Sequence, residues 1–200
     1  MEEETATAQP VNERIAAAVR RLREELGLSL DALASVCGVS RSALSLIERA
    51  ESSPTAAVLD KIATGLGVPL GSLFGDPPDA GEPLPLSRRA EQPVWRDPGS
   101  GYLRRAVSPV GGGSPIQLVE VIFPPGARVA FETGQGDRVI HQQLWLLEGT
   151  IDFSIGSETH RLRAGDCFAS RLDRPTMFCN PTRKRARYAV VVVAEQPARR

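Results

Sequence analysis

Apolar positions over residues 11–74 recur at helical spacing. Ile15, Val19, Leu22 and Leu26 mark one stripe, and Gly27 ends that helix. Ser29 is placed to cap a short second helix from Leu30 to Val36, and Gly38 breaks the chain. Ser40 then caps a third helix running to about Ala50. Pro54 and Pro69 stand at the starts of a fourth helix and a short fifth one. The apolar side of these last two takes in Val58, Leu59, Ile62, Ala63, Leu66, Leu70, Leu73 and Phe74.

Beyond Gly101 the period changes. Short runs follow one another: Tyr102–Val107, Ile116–Phe123, His141–Leu147, Thr150–Ile155, Thr159–Leu162, Asp166–Ser170, Thr176–Asn180 and Arg187–Val193. Glu148-Gly149, Gly156-Ser157 and Gly165-Asp166 supply turns between them. Many short strands with such turns predict a closed or double-sheet β barrel. The intervening stretch, Asp76 to Ser100, holds six of the 16 prolines and almost no apolar periodicity, so it reads as a linker. Trp95 within it reads as an anchor to the next domain. The expected division is a helical domain over 11–75, a linker over 76–100 and a barrel over 101–195. The fold class is α+β as two domains, an all-α five-helix domain followed by an all-β barrel.

Composition narrows the function classes. The chain has 200 residues, 24 basic and 24 acidic side chains, and 42% apolar residues, enough for packed cores. Its longest uninterrupted apolar run, Ala189 to Ala194, is far below the roughly 20 residues of a membrane helix. Glu2, Glu3 and Glu4 are the opposite of a basic signal-peptide start. Cys37, Cys167 and Cys179 are odd in number and widely spaced, which suits reduced thiols and a cytoplasmic location. Residues 1–75 carry 7 basic and 10 acidic groups, so no broad positive field marks a nucleic-acid partner. Any such evidence has to be local.

It is found between Leu30 and Ile47. Ala34 is small where two helices must cross, and Gly38 four residues later can take the positive φ of a tight interhelical turn. Val39, Leu44 and Ile47 point one side of the third helix inward, leaving Arg41, Ser42, Ser45 and Arg49 on the other. One packed face and one donor-bearing face are what a helix reading a major groove requires. The stretch LGLSLDALASVCGVSRSALSLIERAESSPTAAVLDKIATGLGVPLGSLFG, with the chain from about residue 12, resembles the DNA-binding domain of the phage-repressor and Cro-like (XRE) family. That resemblance implies base-reading positions at Arg41 and Ser42, base or phosphate contacts from Ser40 and Ser45, and a phosphate contact from Arg49. It implies a structural ion pair between Arg23 and Glu48. Leu30 departs from the family, where glutamine is frequent and touches DNA.

The second half, about residues 102–194, resembles a cupin barrel at Pro125-Gly126, Leu147-Glu148-Gly149, Ala164-Gly165-Asp166 and Arg174-Pro175 through Asn180. That implies a double-stranded β-helix with a pocket between its sheets. Metal-binding cupins carry an HxH pair, a glutamate and a third histidine. Here the glutamate position falls on Gln142 and the third-histidine position on Thr176, and no HxH occurs. Three or four N, O or S donors hold a transition metal, and this set does not supply them. No metal, no cofactor and no catalytic residue is therefore expected, and the chain is read as not an enzyme. The pocket is expected to bind a small polar organic effector through Glu132, Gln142 and Thr176, with Met177 or Phe178 as apolar wall. Either face of the strand carrying Gln142 could line it: His141, Gln143 and Trp145 on one side, Gln142 and Leu144 on the other. A pocket filled by side chains, serving dimerisation alone, is the plainer alternative. The basic cluster Arg183, Lys184, Arg185 and Arg187 reads as a solvated hairpin loop, with help in DNA binding or capture of an anion as the alternatives.

The order of the two resemblances matches XRE-cupin transcriptional regulators of bacteria. The expectation is a homodimeric, sequence-specific repressor on a pseudo-palindromic duplex DNA operator, with no membrane partner. The rivals are a cupin metalloenzyme with an appended DNA-binding domain and a protein-interaction module.

Overall fold

The computed structural model describes residues 8–74, 85–109, 114–132 and 139–194. Four α-helices come first: α1 (Ala8–Glu25), α2 (Leu30–Cys37), α3 (Arg41–Glu48) and α4 (Ala56–Gly65). The expected fifth helix is a 3₁₀ turn, Leu70–Phe74. Five residues after Pro69 are too few to repay helix nucleation, and the turn is held by burying Leu73 and Phe74.

Each short helix starts at a side-chain cap. The Ser29 hydroxyl accepts from Ala32 N at 3.1 Å, Ser40 from Ala43 N at 3.2 Å, and Thr55 from Val58 N at 3.4 Å. Gly38 ends α2 with φ 65°, a left-handed conformation that costs glycine nothing, and its N–H donates to Ala34 O. The chain bends by 115° between α2 and α3, within the range of helix-turn-helix pairs. Ile15, Val19, Leu33, Leu44, Ile47, Leu59 and Ile62 close the helical core. Leu26 does not join them: α1 has ended at Glu25, and the side chain is 54% exposed.

The second half is an antiparallel two-sheet barrel. One sheet runs β1-β2-β3-β10-β5-β8 and the other β4-β9-β6-β7. The eight runs read from the sequence correspond to β2 (Leu103–Ala106), β3 (Ile116–Phe123), β5 (Ile140–Glu148), β6 (Thr150–Ile155), β7 (Glu158–Arg163), β8 (Cys167–Arg171), β9 (Thr176–Cys179) and β10 (Ala186–Ala194). Two strands had no sequence signal. They are β1 (Val94–Arg96), inside the stretch read as linker, and β4 (Arg128–Phe131). β1, with three residues, is too short to display alternation, and each of the two is fixed by its partner, β1 on β2 and β4 on β9. Asn180, fully buried, ties one end of the barrel: its amide donates to the carbonyls of Phe123, Pro124 and Lys184.

A chain of aromatic contacts joins the two halves. Phe74 of the helical half meets Trp95 at 5.6 Å, Trp95 meets Tyr102 at 5.7 Å, and Tyr102, Phe123, Tyr188, Phe178 and Phe153 continue inward at 4.9–6.1 Å. Edge-to-face and offset pairs at such separations add to the burial each ring already provides. Trp95 is thus an anchor against both halves.

Candidate nucleic-acid interface and ligand cavity

Helix α3 has the most sharply divided faces of the helical half. Leu44 and Ile47 are buried, whereas Arg41 and Ser42 are exposed at its first turn and Arg49 just beyond its last. Ser40 holds the cap and lies 3.2 Å from the Ser42 hydroxyl. Arg41 reaches Asp31 on α2 at 3.2 Å, both side chains largely in solvent. Arg49 is bound more fully, donating to Ser45 Oγ and to both oxygens of Glu51 at 2.9 and 2.8 Å. That guanidinium holds the Glu51 carboxyl below the usual carboxylate range. All five sequence-derived positions therefore lie along one side of α3 and its two ends. Leu30, by contrast, packs against the core.

Behind α3 the helix is tied to α1 by a two-point ion pair. Arg23 donates to Glu48 at 2.7 and 2.9 Å and also to Leu28 O at 2.9 Å. Both side chains are mostly buried, so this pair fixes the helix and is not offered to a ligand.

A second site opens where the halves meet. A cavity of about 170 Å³ lies inside the barrel mouth, walled by Val119, Val121, Phe178, Tyr188 and Val190. Its roof is not barrel at all. Asp60, Ala63 and Thr64 of α4 and the stretch Gly67–Gly71 close it from the helical half. The roof is fastened at several points. Asp97 Oδ1 accepts from Ala56 N at the start of α4 at 2.9 Å, Asp60 Oδ2 accepts from Glu132 N at 2.8 Å, and Lys61 lies 3.6 Å from Glu132.

Gln142 and Thr176 both line this cavity and are buried, and Phe178 supplies apolar wall. The inward face of β5 is therefore that of Gln142, Leu144 and Leu146, while Trp145 on the other face is half exposed. Glu132, expected beside Gln142 and Thr176, does not line the cavity. It follows the last residue of β4, where its backbone turns to Asp60 and its exposed side chain turns to Lys61. Met177 alternates away from Phe178 and is likewise outside the lining. Residues 133–138, the rest of the region where an HxH pair would fall, lie outside the described residues.

The sequence reading missed Arg104 and Asp60. Arg104 lines the cavity at 8% exposure, its guanidinium 4.4 Å above the Phe74 ring, and burial lowers it to about 10. Tyr102, Arg104 and Ala106 share a face by strand alternation, so an arginine inside that apolar face was the available signal. Asp60 is 2% exposed, and burial pushes its carboxyl up to about 6, with the nearby Glu132 charge adding to the shift. It sits among Leu59, Ile62 and Ala63 of a helix stripe, where a carboxylate was the anomaly. Among the described residues, no three His, Cys, Asp or Glu side chains converge as metal ligands. The polar side chains lining the cavity, among them Arg104, Gln117, Gln142 and Thr176 with Asp60 as the single carboxyl, do not make a transition-metal ligand set.

Comparison with known proteins agrees with these two parts. The helix-turn-helix family HTH_3 matches residues 19–73. The HTH-type transcriptional regulator SutR of Escherichia coli (strain K12) is 52% identical over 65 residues, which is 32% of this chain and 36% of that protein. The HTH-type transcriptional regulator PuuR of the same organism is 28% identical over 165 residues, 80% of this chain and 83% of PuuR. The crystal structure of an HTH_3 family transcriptional regulator from Vibrio cholerae superposes with a TM-score of 0.73 at 25% identity, over 94% of this chain and 98% of that one. A 115° helix pair with a donor-bearing outer face, the HTH_3 match over residues 19–73 and likeness along nearly the whole chain to an HTH_3 family regulator support a DNA-binding transcriptional regulator built from a helix-turn-helix domain followed by a two-sheet β barrel.

Proposed function

We propose that the chain works as a cytoplasmic homodimeric repressor that reads a pseudo-palindromic operator with α3 and answers to a small organic effector in its barrel, without metal and without catalysis. The division proposed is a reading domain over 11–75 and a sensing barrel over 101–195, with β1 and the residues around it as the hinge between them. The observation that carries the reading is the shared wall: the same helical unit that presents Arg41, Ser42 and Arg49 outward also roofs the barrel cavity through α4. A ligand acts on DNA binding only by favouring one arrangement of the two halves, and a shared wall is where such preference arises.

Arg41 is the residue proposed to read a base, through guanine O6 and N7, with Ser42 beside it and Ser40, Ser45 and Arg49 on neighbouring phosphates. One such unit covers a short half-site, so pairing is needed for specificity. The outer face of the six-stranded sheet supports pairing: Trp145 and Ile116 stand 51% and 49% exposed beside Val191 and Val193. Large apolar exposure on one sheet face is a feature of association surfaces.

The test is selection of sites from a random duplex DNA pool by the full chain, followed by sequencing. The expected result is a two-fold symmetric motif with half-site centres about 34–36 Å apart or a multiple of that. A pool that stays unenriched overturns the reading, and an enriched single half-site overturns the dimer.

A further inference from the structure

The cavity holds a buried cation with no counter-charge and a buried amide with no acceptor among the described residues. Arg104 is buried, yet among the described residues no carboxylate stands within ion-pair range of its guanidinium; the contact described for it is the face of Phe74 at 4.4 Å. A cation taken out of water without a counter-charge is costly, and its retention calls for an anion from elsewhere. Gln142, on β5, buries its Nε2 with no acceptor. Asp60 lines the same cavity but forms no ion pair with Arg104; the charges acting on its carboxyl are those of Glu132 and Lys61. The rest of the wall is mainly aliphatic and aromatic, with Gln117, Thr64 and Thr176 as further polar side chains.

Resting on the effector reading above, we propose that this cavity takes a small organic carboxylate with an apolar body, its charged end seated on Arg104 and Gln142 beneath a roof that belongs to the DNA-reading domain. The planar guanidinium matches a carboxylate with two parallel hydrogen bonds, and the Gln142 amide adds a third donor. The body of the ligand then lies along Val119, Val121 and Phe178, against the underside of the roof. Arg104 links this seat to the reading domain directly, since its outer side rests on Phe74 of the 3₁₀ turn. The roof passes the contact on. A Cβ at Gly65 near the end of α4 would fall 2.7 Å from that of Cys37 at the end of α2, so these helices touch backbone to side chain with no slack. A shift of α4 therefore moves α2, and with it the turn that sets α3.

The test is titration calorimetry on the full chain with straight-chain carboxylates from butanoate to octanoate, and with benzoate. Each is paired with its primary amide and its primary amine. Carboxylates are expected to bind at least tenfold more tightly than their amides. Arg104→Met is expected to erase that preference, with circular dichroism confirming the fold. Gln142→Leu, a milder change, is expected to weaken carboxylates severalfold while sparing amides, and it serves if Arg104→Met does not fold. Equal binding of carboxylate and amide overturns the anion seat. Tighter binding of the amines also overturns it, but leaves an effector cavity standing. Silence from every probe overturns both. Carboxylate binding that leaves affinity for the selected operator unchanged overturns the coupling through the roof and keeps the seat.

Discussion

Asp60 on α4 accepts a 2.8 Å hydrogen bond from the backbone N–H of Glu132, so a buried carboxyl is one of the points at which the helical half grips the barrel. Burial raises this carboxyl to about 6 from an ordinary value of 3.8. At a pH below both values the group is protonated folded or unfolded and contributes nothing. Between them the folded protein holds a proton the unfolded chain has lost. Above about 6 both forms are ionised, and the folded state carries the whole cost of a buried charge, about 3 kcal/mol. Stability from this group is thus lost as pH rises from about 4 to about 6 and is flat beyond. Asp60→Asn, which keeps an acceptor for Glu132 N, should raise the melting temperature at neutral pH and change it little near pH 4. Thermal melts at the two pH values decide it; an equal shift at both would mean the carboxyl titrates normally.

Arg41 and Asp31 form an ion pair at 3.2 Å with both side chains mostly in solvent. Exposed pairs contribute roughly 0–1 kcal/mol, so DNA can take the arginine away at little cost. Arg41→Ala should lose about 1–3 kcal/mol on the selected operator and relax the preference at one base position. Asp31→Asn should tighten binding to every duplex, because it removes a negative charge beside the phosphates. Fluorescence anisotropy on operator and scrambled DNA separates the two effects. Unchanged base preference in Arg41→Ala would remove it from the reading role.

Arg49 stands apart, held by Ser45 and by both oxygens of Glu51. Such a fixed guanidinium at the end of α3 suits a phosphate better than a base edge. Arg49→Ala should weaken all sequences alike and reduce the slope of log K against log salt by about 0.9. A loss confined to the operator would reassign it to base reading.

Much of this architecture was written in local signals. Ser29, Ser40 and Gly38 announced the ends of α2 and α3, because caps and left-handed turns depend on the residue at one position. Eight barrel strands were legible, down to runs of four and five residues, where turn residues bounded them, and Gln142 and Thr176 were placed near a pocket by the cupin resemblance. What stayed hidden depends on pairing over distance. β1 and β4 exist through partners elsewhere in the chain: Trp95 pairs with Arg104, 9 positions on, and Arg128 with Cys179, 51 positions on. Glu132 was misplaced because a side chain after the end of a strand obeys the turn and not the alternation. The roof over the cavity could not be read at all: Asp60 and Arg104 are 44 positions apart, and nothing local says that a helix of one half closes the other.

The Arg23–Glu48 pair gives a prediction in which stability and DNA reading separate. Arg23 donates twice to Glu48 and once to Leu28 O, with side chains 13% and 8% exposed. Glu48→Ala leaves a mostly buried guanidinium with only Leu28 O and a long 3.4 Å contact to the exposed Glu24, and should cost about 3–5 kcal/mol of unfolding free energy. Replacing both, Arg23→Met with Glu48→Leu, should recover most of that loss, since neither desolvated charge remains. The recovered double variant should bind the selected operator as the parent does, because neither side chain faces DNA in the proposed complex. Urea titrations of the two singles and the double complete the cycle. A loss below about 1 kcal/mol in Glu48→Ala would show a pair screened by solvent. A stable double variant that no longer binds DNA would mean that Arg23 or Glu48 sets the angle of α3 in a way packing alone does not.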